Sequence, residues 1–218
     1  QSRVKQLIKK GLKLFIARHG ETVFNAAGRL QGTHAHTPLT ARGFAQALAM
    51  GDGLARWLGE WNGPLDLVAS DTGRALQTLA IVAEAIGRDW HEATTDPRLA
   101  EIDVGSWGGR YYRDLMAEGP VIDVQQRLFV RLPEDAENYG DIAARLNAWI
   151  AEQAFENDML IISHGMTSRV LRGILCGLPD LDGFDAPIAP GLPQGSMVMV
   201  RDGVEEVIVL GKGEGEKG

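Results

Sequence analysis

Apolar and polar positions alternate along the chain in two different rhythms. Three short runs, LKLFIA (12–17), LDLVAS (65–70) and MLIIS (159–163), are apolar at nearly every position, as strands covered on both faces should be. Longer stretches with apolar residues at helical spacing fill the intervals. LTARGFAQALAMGDGLARWL (39–58) has Thr40 placed as its N-cap, and TGRALQTLAIVAEAIG (72–87) has Ser70, Asp71 or Thr72 available as a cap and Gly87 as a stop. YGDIAARLNAWIAEQA (139–154) is a third amphipathic helix. SMVMVRDGVEEVIVL (196–210) differs, reading as two β-runs around Asp202-Gly203, a favoured hairpin turn. The pattern predicts a three-layer α/β/α fold whose mostly parallel sheet has an antiparallel edge strand.

The three apolar runs end alike, in ARHG, ASDTGR and ISHG. In open α/β sheets the crevice beyond the carboxyl ends of the strands receives ligands, because loops and helix N-termini converge there. That rule predicts Arg18, His19, Arg74 and His164 in one place. Each following helix also turns its positive end toward the crevice, which suits an anion. Arg74 would lie in the first turn of a helix, where a cation opposes the macrodipole by about 0.3–1 kcal/mol. A bound phosphate would offset that cost and match the planar guanidinium; a salt bridge or a solvated side chain is the plainer alternative for Arg74 taken alone.

Composition narrows the class. The chain has 218 residues, 44% of them hydrophobic, enough for one sizeable core and a single domain spanning 1–218. A net charge of -7 argues against a broad nucleic-acid or anionic-membrane surface. One cysteine, Cys176, leaves no internal disulfide and no thiolate metal set, which suits a reducing compartment. No apolar run approaches the roughly 18 residues that cross a bilayer, and no secretory pattern stands out, so a cytoplasmic protein is expected. Residues 1–11 form a basic arm, with Arg3, Lys5, Lys9 and Lys10, in which Val4, Leu7 and Ile8 fall on one helical face with Leu12 just beyond. It reads as a docked turn rather than a membrane-surface helix, and residues 211–218 read as a flexible polar tail.

Five blocks carry a resemblance in order: RHGETVFN, GRLQGTHAHTPLTARG, SDTGRALQTLA, LAEIDVGSWGG and SHGMTSRVLRGIL. Together they resemble the histidine phosphatase superfamily, which includes cofactor-dependent phosphoglycerate mutases and broad phosphomonoesterases. The resemblance implies that His19 attacks phosphorus to form a phosphohistidine. Arg18, Arg74 and Arg29 would keep His19 neutral and, with His164, hold the equatorial oxygens of the transferring group. Glu101 would be the general acid and base, with Asp103 the rival. Asn25, Arg29 and Gln31 would bind substrate. No metal and no cofactor is implied.

Other residues receive plainer readings. Glu21 is expected to cap the first helix, Ser163 to orient the end of the second histidine strand, and His91 to sit on an exposed strand edge. His34 and His36 lack the third ligand of a metal site, and Trp107 is expected to pack. The chain departs from the family pattern at Gly108-Gly109, where Glu-Gly is usual, and at Ala136-Glu137-Asn138, where Gly-Glu-Ser is usual. Residues 104–138 would form a cover over the site. Their shortness favours hydrolysis of small-molecule phosphomonoesters over the alternative, a phosphoglycerate mutase, which must shield its intermediate from water. A phosphate-ligand or protein-binding module without catalysis is the remaining class. The edge hairpin could pair across a homodimer axis.

Overall fold

The structure, a computed structural model, describes residues 4 and 7–212. Arg3 and Lys5 of the basic arm and residues 213–218 of the polar tail lie outside the described residues.

The three apolar runs are strands: β1 (Lys13–Arg18), β2 (Leu65–Ala69) and β4 (Asp158–Ser163). A two-residue strand, β3 (Thr94–Thr95), and a hairpin of β5 (Met197–Arg201) and β6 (Val204–Val209) complete the sheet. Its order is β3-β2-β4-β1-β5-β6. The first four are mutually parallel, and β5 runs antiparallel to both of its neighbours, β1 and β6. Asp202 and Gly203 both take positive φ, 52° and 77°, as the predicted tight hairpin turn requires.

Six helices accompany the sheet among the described residues: α1 (Val23–Ala27), α2 (Ala41–Leu58), α3 (Gly73–Ala85), α4 (Tyr112–Glu118), α5 (Tyr139–Glu152) and α6 (Gly165–Cys176). Successive strand residues point to opposite faces, so the continuous apolar runs supply two cores. Phe15, Ala17, Leu67, Ala69, Leu160 and Ile162 pack with Met50 and Leu54 of α2 and Leu79 and Val82 of α3. Leu14, Ile16, Val68, Met159 and Ile161 pack on the other face with Leu146 and Ile150 of α5 and Val170 and Ile174 of α6. Burying such a side chain fully contributes about 1.5–3 kcal/mol, so both layers are strongly held and the predicted three-layer α/β fold is observed.

The stretch 104–138 joins the second of these cores through Trp107, Leu115, Val121, Leu128 and Phe129. Trp107 packs, as expected, with Arg131 over its ring at 4.8 Å. Val4 and Ile8 pack against the same core beside buried Leu12, whereas Leu7 is exposed. At the other end Gly211 is tied back, its N–H donating to Ser196 Oγ at 2.8 Å. None of the described helices is long and apolar enough to cross a membrane. His91 lies in a 3-10 turn (Trp90–Glu92) rather than on a strand, because Asp89 accepts its N–H and closes that turn before β3 begins.

Candidate active site

Parallel pairing of β1, β4 and β2 brings their carboxyl ends to one edge, and the ladder runs one residue further than the strands. The His19 N–H donates to the Ser163 carbonyl at 3.0 Å, and the Ser70 N–H to that of Ile162 at 3.1 Å. His19, His164 and Ser70 are thereby set side by side, all three buried. The imidazoles of His19 and His164 lie 5.1 Å apart at 65°. Gly20 follows His19 because the backbone there touches α2: a Cβ at Gly20 would lie 2.4 Å from the Gly43 carbonyl oxygen. The chain that emerges from an apolar strand is thus wedged against a helix at the residue after the histidine.

His19 Nδ1 lies 2.6 Å from the Gly20 carbonyl, which can only accept. Nδ1 therefore carries the ring proton and Nε2 holds the free lone pair. Burial holds the His19 pKa well below the ordinary histidine value, Arg18 and Arg74 push it further down, and the Gly20 carbonyl opposes them. Arg29, expected to share in this, takes no part. Its guanidinium lies 4.4 Å over Phe24 and 5.2 Å over Tyr111, and its Nε donates to the Gly109 carbonyl at 2.8 Å. His164 is likewise held well below the ordinary value, by burial first and then by His19, Arg74 and Arg18. Its Nε2 is 2.7 Å from Ser70 Oγ, and its buried Nδ1 has no hydrogen-bond partner.

Arg74 is fully buried in the first turn of α3. Its hydrogen bonds go to a loop rather than to a carboxylate or solvent. It donates to the Gly32 carbonyl at 2.7 Å, to Thr37 Oγ1 at 3.0 Å and to the His34 carbonyl. Three acceptors of the 32–37 loop thus engage two of its nitrogens, while Nε stays buried without a partner. Burial lowers its pKa to about 10, Glu101 opposing and Arg18 assisting.

Glu101 is half-buried and caps α6. Its Oε2 accepts the Met166 N–H at 3.1 Å, and its Oε1 accepts those of Thr167 at 3.2 Å and Ile102 at 2.8 Å. Capping does not remove it from the site. A Cβ at Gly165 would lie 3.4 Å from Arg18 Cζ and 3.5 Å from Glu101 Oε2, so both side chains converge on the glycine after His164. Asp103 instead braces its own turn through the Gly105 N–H at 2.9 Å.

Asn25 and Gln31 converge on Thr22. The Thr22 N–H donates to Asn25 Oδ1 at 3.0 Å, and the Thr22 hydroxyl lies 2.8 Å from Gln31 Oε1. Thr22, not Glu21, caps α1; the Glu21 carboxylate accepts from the Thr40 hydroxyl at the start of α2. Ser163 Oγ donates to the Leu99 carbonyl, so the residue that touches His164 is Ser70, which the sequence offered only as a helix cap. Gln194 was not singled out at all, yet its amide donates to the His19 carbonyl at 3.1 Å; a lone glutamine in a loop carries no periodic or spacing signal. Gly108, the first departure from the family pattern, lies beside His34: a Cβ there would sit 3.1 Å from His34 Nε2. At the second departure Asn138 does the work of a serine, capping α5 reciprocally with Asp141.

Two buried imidazoles, with the charges of Arg18 and Arg74 acting on both, thus stand at the carboxyl ends of the parallel strands of an α/β protein. The family model of the histidine phosphatase superfamily (branch 1) matches residues 14–201, and the chain belongs to that family. It is 36% identical over 177 residues to the probable phosphoglycerate mutase GpmB of Citrobacter koseri, covering 77% of this chain and 76% of that one. Among solved structures it resembles mycobacterial glucosyl-3-phosphoglycerate phosphatase in complex with VO3, with a TM-score of 0.68, 26% identity and coverage of 91% and 98%. The alpha-ribazole phosphatase of Shigella flexneri superposes with a TM-score of 0.66 at 25% identity, covering 95% of this chain and 100% of that one.

Proposed function

We propose that the protein is a phosphoric monoester hydrolase acting on small phosphorylated metabolites through a phosphohistidine at His19. The observation that carries the reading is the His19 tautomer: with Nδ1–H given to Gly20, the buried Nε2 offers its lone pair to phosphorus. In the first step Nε2 bonds to phosphorus, the ester P–O bond breaks, and Glu101 gives its proton to the leaving oxygen. Glu101 then takes a proton from water as the water oxygen attacks, the P–N bond breaks, and phosphate and free His19 result. Arg18, Arg74 and His164 hold the equatorial oxygens as charge redistributes, the part a cation must play in phosphoryl transfer. With guanidiniums in that part, the reaction needs no metal and no cofactor. Asn25, Gln31 and Arg29, on or beside α1, would meet the substrate's remainder, under a cover formed by 104–138. Such an enzyme needs neither nucleic acid nor membrane and suits the cytoplasm; pairing of two β6 edges would make it a homodimer.

The expected outcome is steady phosphate release from a simple aryl phosphate, undiminished in chelator and abolished in His19→Ala, with an acid-labile phosphoryl group trapped on the wild type. Unchanged release in that variant, or strict loss in chelator, would overturn the reading. The second reading, interconversion of phosphoglycerates, is favoured by the 36% identity to a relative bearing that name. Stimulation by a bisphosphorylated glycerate, with little net phosphate release, would establish it instead. Failure to trap any phosphohistidine would leave a phosphate-binding module without catalysis.

A further inference from the structure

Ser70 does none of the chemistry assigned above, yet its hydroxyl is fully buried 2.7 Å from His164 Nε2. Thr72 Oγ1 stands 3.4 Å from the same nitrogen and 3.3 Å from Ser70 Oγ. Thr72 is the N-cap of α3, a position where a threonine hydroxyl ordinarily accepts a helix N–H. Here it makes no such bond, and its hydroxyl is turned to Ser70 and His164. The Thr72 N–H also approaches Ser70 Oγ, at 3.4 Å. Two hydroxyls are thus gathered on one edge of the imidazole, while Nδ1 is buried with no partner.

A neutral imidazole carries one proton, and the hydrogen bond made by one nitrogen decides which of the two holds it. Suppose the proton sits on Nε2 and is donated to Ser70 Oγ. The Ser70 proton must then turn to Thr72 Oγ1, and these atoms offer the Thr72 proton no acceptor. With the proton on Nδ1, both hydroxyl donors are matched, Ser70 donating to Nε2 and Thr72 to Ser70 Oγ or to Nε2, and the donor left over is the Nδ1–H itself. Buried polar groups are overwhelmingly paired; each arrangement leaves one donor over, but only the second leaves it on Nδ1, on the ring edge away from the hydroxyls, where a bound oxyanion would pair it, so the second is the one this cluster is built for.

We infer that Ser70 is a positioning residue for His164: by donating to Nε2 it keeps the ring proton on Nδ1 and presents that buried donor to a phosphoryl oxygen. Neither residue exchanges a proton in this role; the ring is a fixed hydrogen-bond donor. The consequence for turnover rests on the phosphoryl reading of the site, whereas the tautomer does not depend on it. Seen this way, the serine that opens SDTGR and the glycine after His19 do matching jobs. The Gly20 carbonyl frees the His19 Nε2 lone pair, and the Ser70 hydroxyl frees the His164 Nδ1–H.

Long-range 1H–15N correlation spectra of the whole labelled protein, with His164 assigned by a His164→Asn variant, read the tautomer directly. In the wild type His164 should be the Nδ1–H form, and its Nδ1 proton should shift when inorganic phosphate or vanadate is added. Ser70→Ala should populate the Nε2–H form and lower kcat on an aryl phosphate by about 100-fold with KM little changed, and Ser70→Thr should restore both. An Nε2–H tautomer in the wild type overturns the inference, as does an Nδ1–H form that persists in Ser70→Ala with kcat intact. No shift on adding phosphate or vanadate overturns the presentation of the donor. If Ser70→Ala does not fold, the wild-type spectrum decides alone. A wild-type Nδ1–H form lost in Ser70→Ala, in a protein that hydrolyses no monoester, supports the inference while the hydrolase reading fails.

Discussion

Single atoms decide this site. Gly165, the residue after His164, has room for a Cβ only at 3.3 Å from Arg18 Nε and 3.5 Å from Glu101 Oε2. It opens α6, where alanine is the better helix former by up to about 1 kcal/mol, and the atoms in the way belong to side chains that can give. Gly165→Ala should therefore leave the melting temperature unchanged or raised while lowering kcat about 10- to 100-fold, because Arg18 and Glu101 are displaced from where the proposed reaction needs them. Thermal melts beside steady-state rates check this, and a variant with full activity would show that the two side chains need not converge. Three of the residues proposed to carry the chemistry were legible because they end buried strands: Arg18-His19 after FIA and His164 after IIS break apolar runs that nothing structural asks to be broken. Their partners were not. Two of the three acceptors of Arg74 are carbonyls of the 32–37 loop, and every residue carries a carbonyl, so sequence has no letter for them. The surroundings of Arg29 were illegible for the same reason, since its stacking on Phe24 and Tyr111 depends on a loop path and not on spacing.

Helices and strands became legible in proportion to their length. The 18-residue α2 announces itself by apolar spacing and by Thr40, whose hydroxyl accepts the Gly43 N–H. The five residues of α1 and the seven of α4 are too few to show a period, and the two exposed threonines of β3 show no alternation at all. Caps proved readable as positions but not as partners. Thr72, one of three candidate caps, stands at the N-cap yet turns its hydroxyl to His164, and the start of α6 is capped from a distant loop by Glu101. The start of α5 is the ordinary case: Asn138 Oδ1 accepts the Asp141 N–H at 2.9 Å, and Asp141 returns the bond to the Asn138 N–H at 3.0 Å. Asn138→Ala should accordingly cost about 1 kcal/mol of stability by urea denaturation, and Asn138→Ser, which restores the family's usual residue, should recover most of it. An alanine variant of unaltered midpoint would mean that packing alone starts this helix.

For the molecule as a whole, the same burial that arms the site ties stability to pH. His19 and His164 are both held well below the ordinary histidine value of 6.5, chiefly by burial. In the unfolded chain they protonate as pH falls through about 6.5, while the folded protein refuses those protons until far lower pH. The unfolded state then binds more protons, so unfolding free energy rises with pH through this window. The stability supplied by neutral burial is complete above the ordinary histidine value and is lost progressively as pH falls toward the folded values. Asp96, Glu118 and Glu152 act lower on the scale, since arginine partners hold them below their ordinary range of 3.8 to 4.5. A loss between about pH 7 and about pH 5 thus reports the two histidines. Denaturant midpoints should fall across that interval in the wild type, and His19→Gln with His164→Gln should flatten the fall, glutamine being similar in reach and without a titrating proton. His19, the proposed nucleophile, should stay neutral over the same range, so the acid limb of kcat/KM should lie below the ordinary histidine value. A midpoint that falls equally steeply in the double variant would place the pH sensitivity elsewhere in the molecule, and an acid limb at the ordinary histidine value would mean that His19 is open to water.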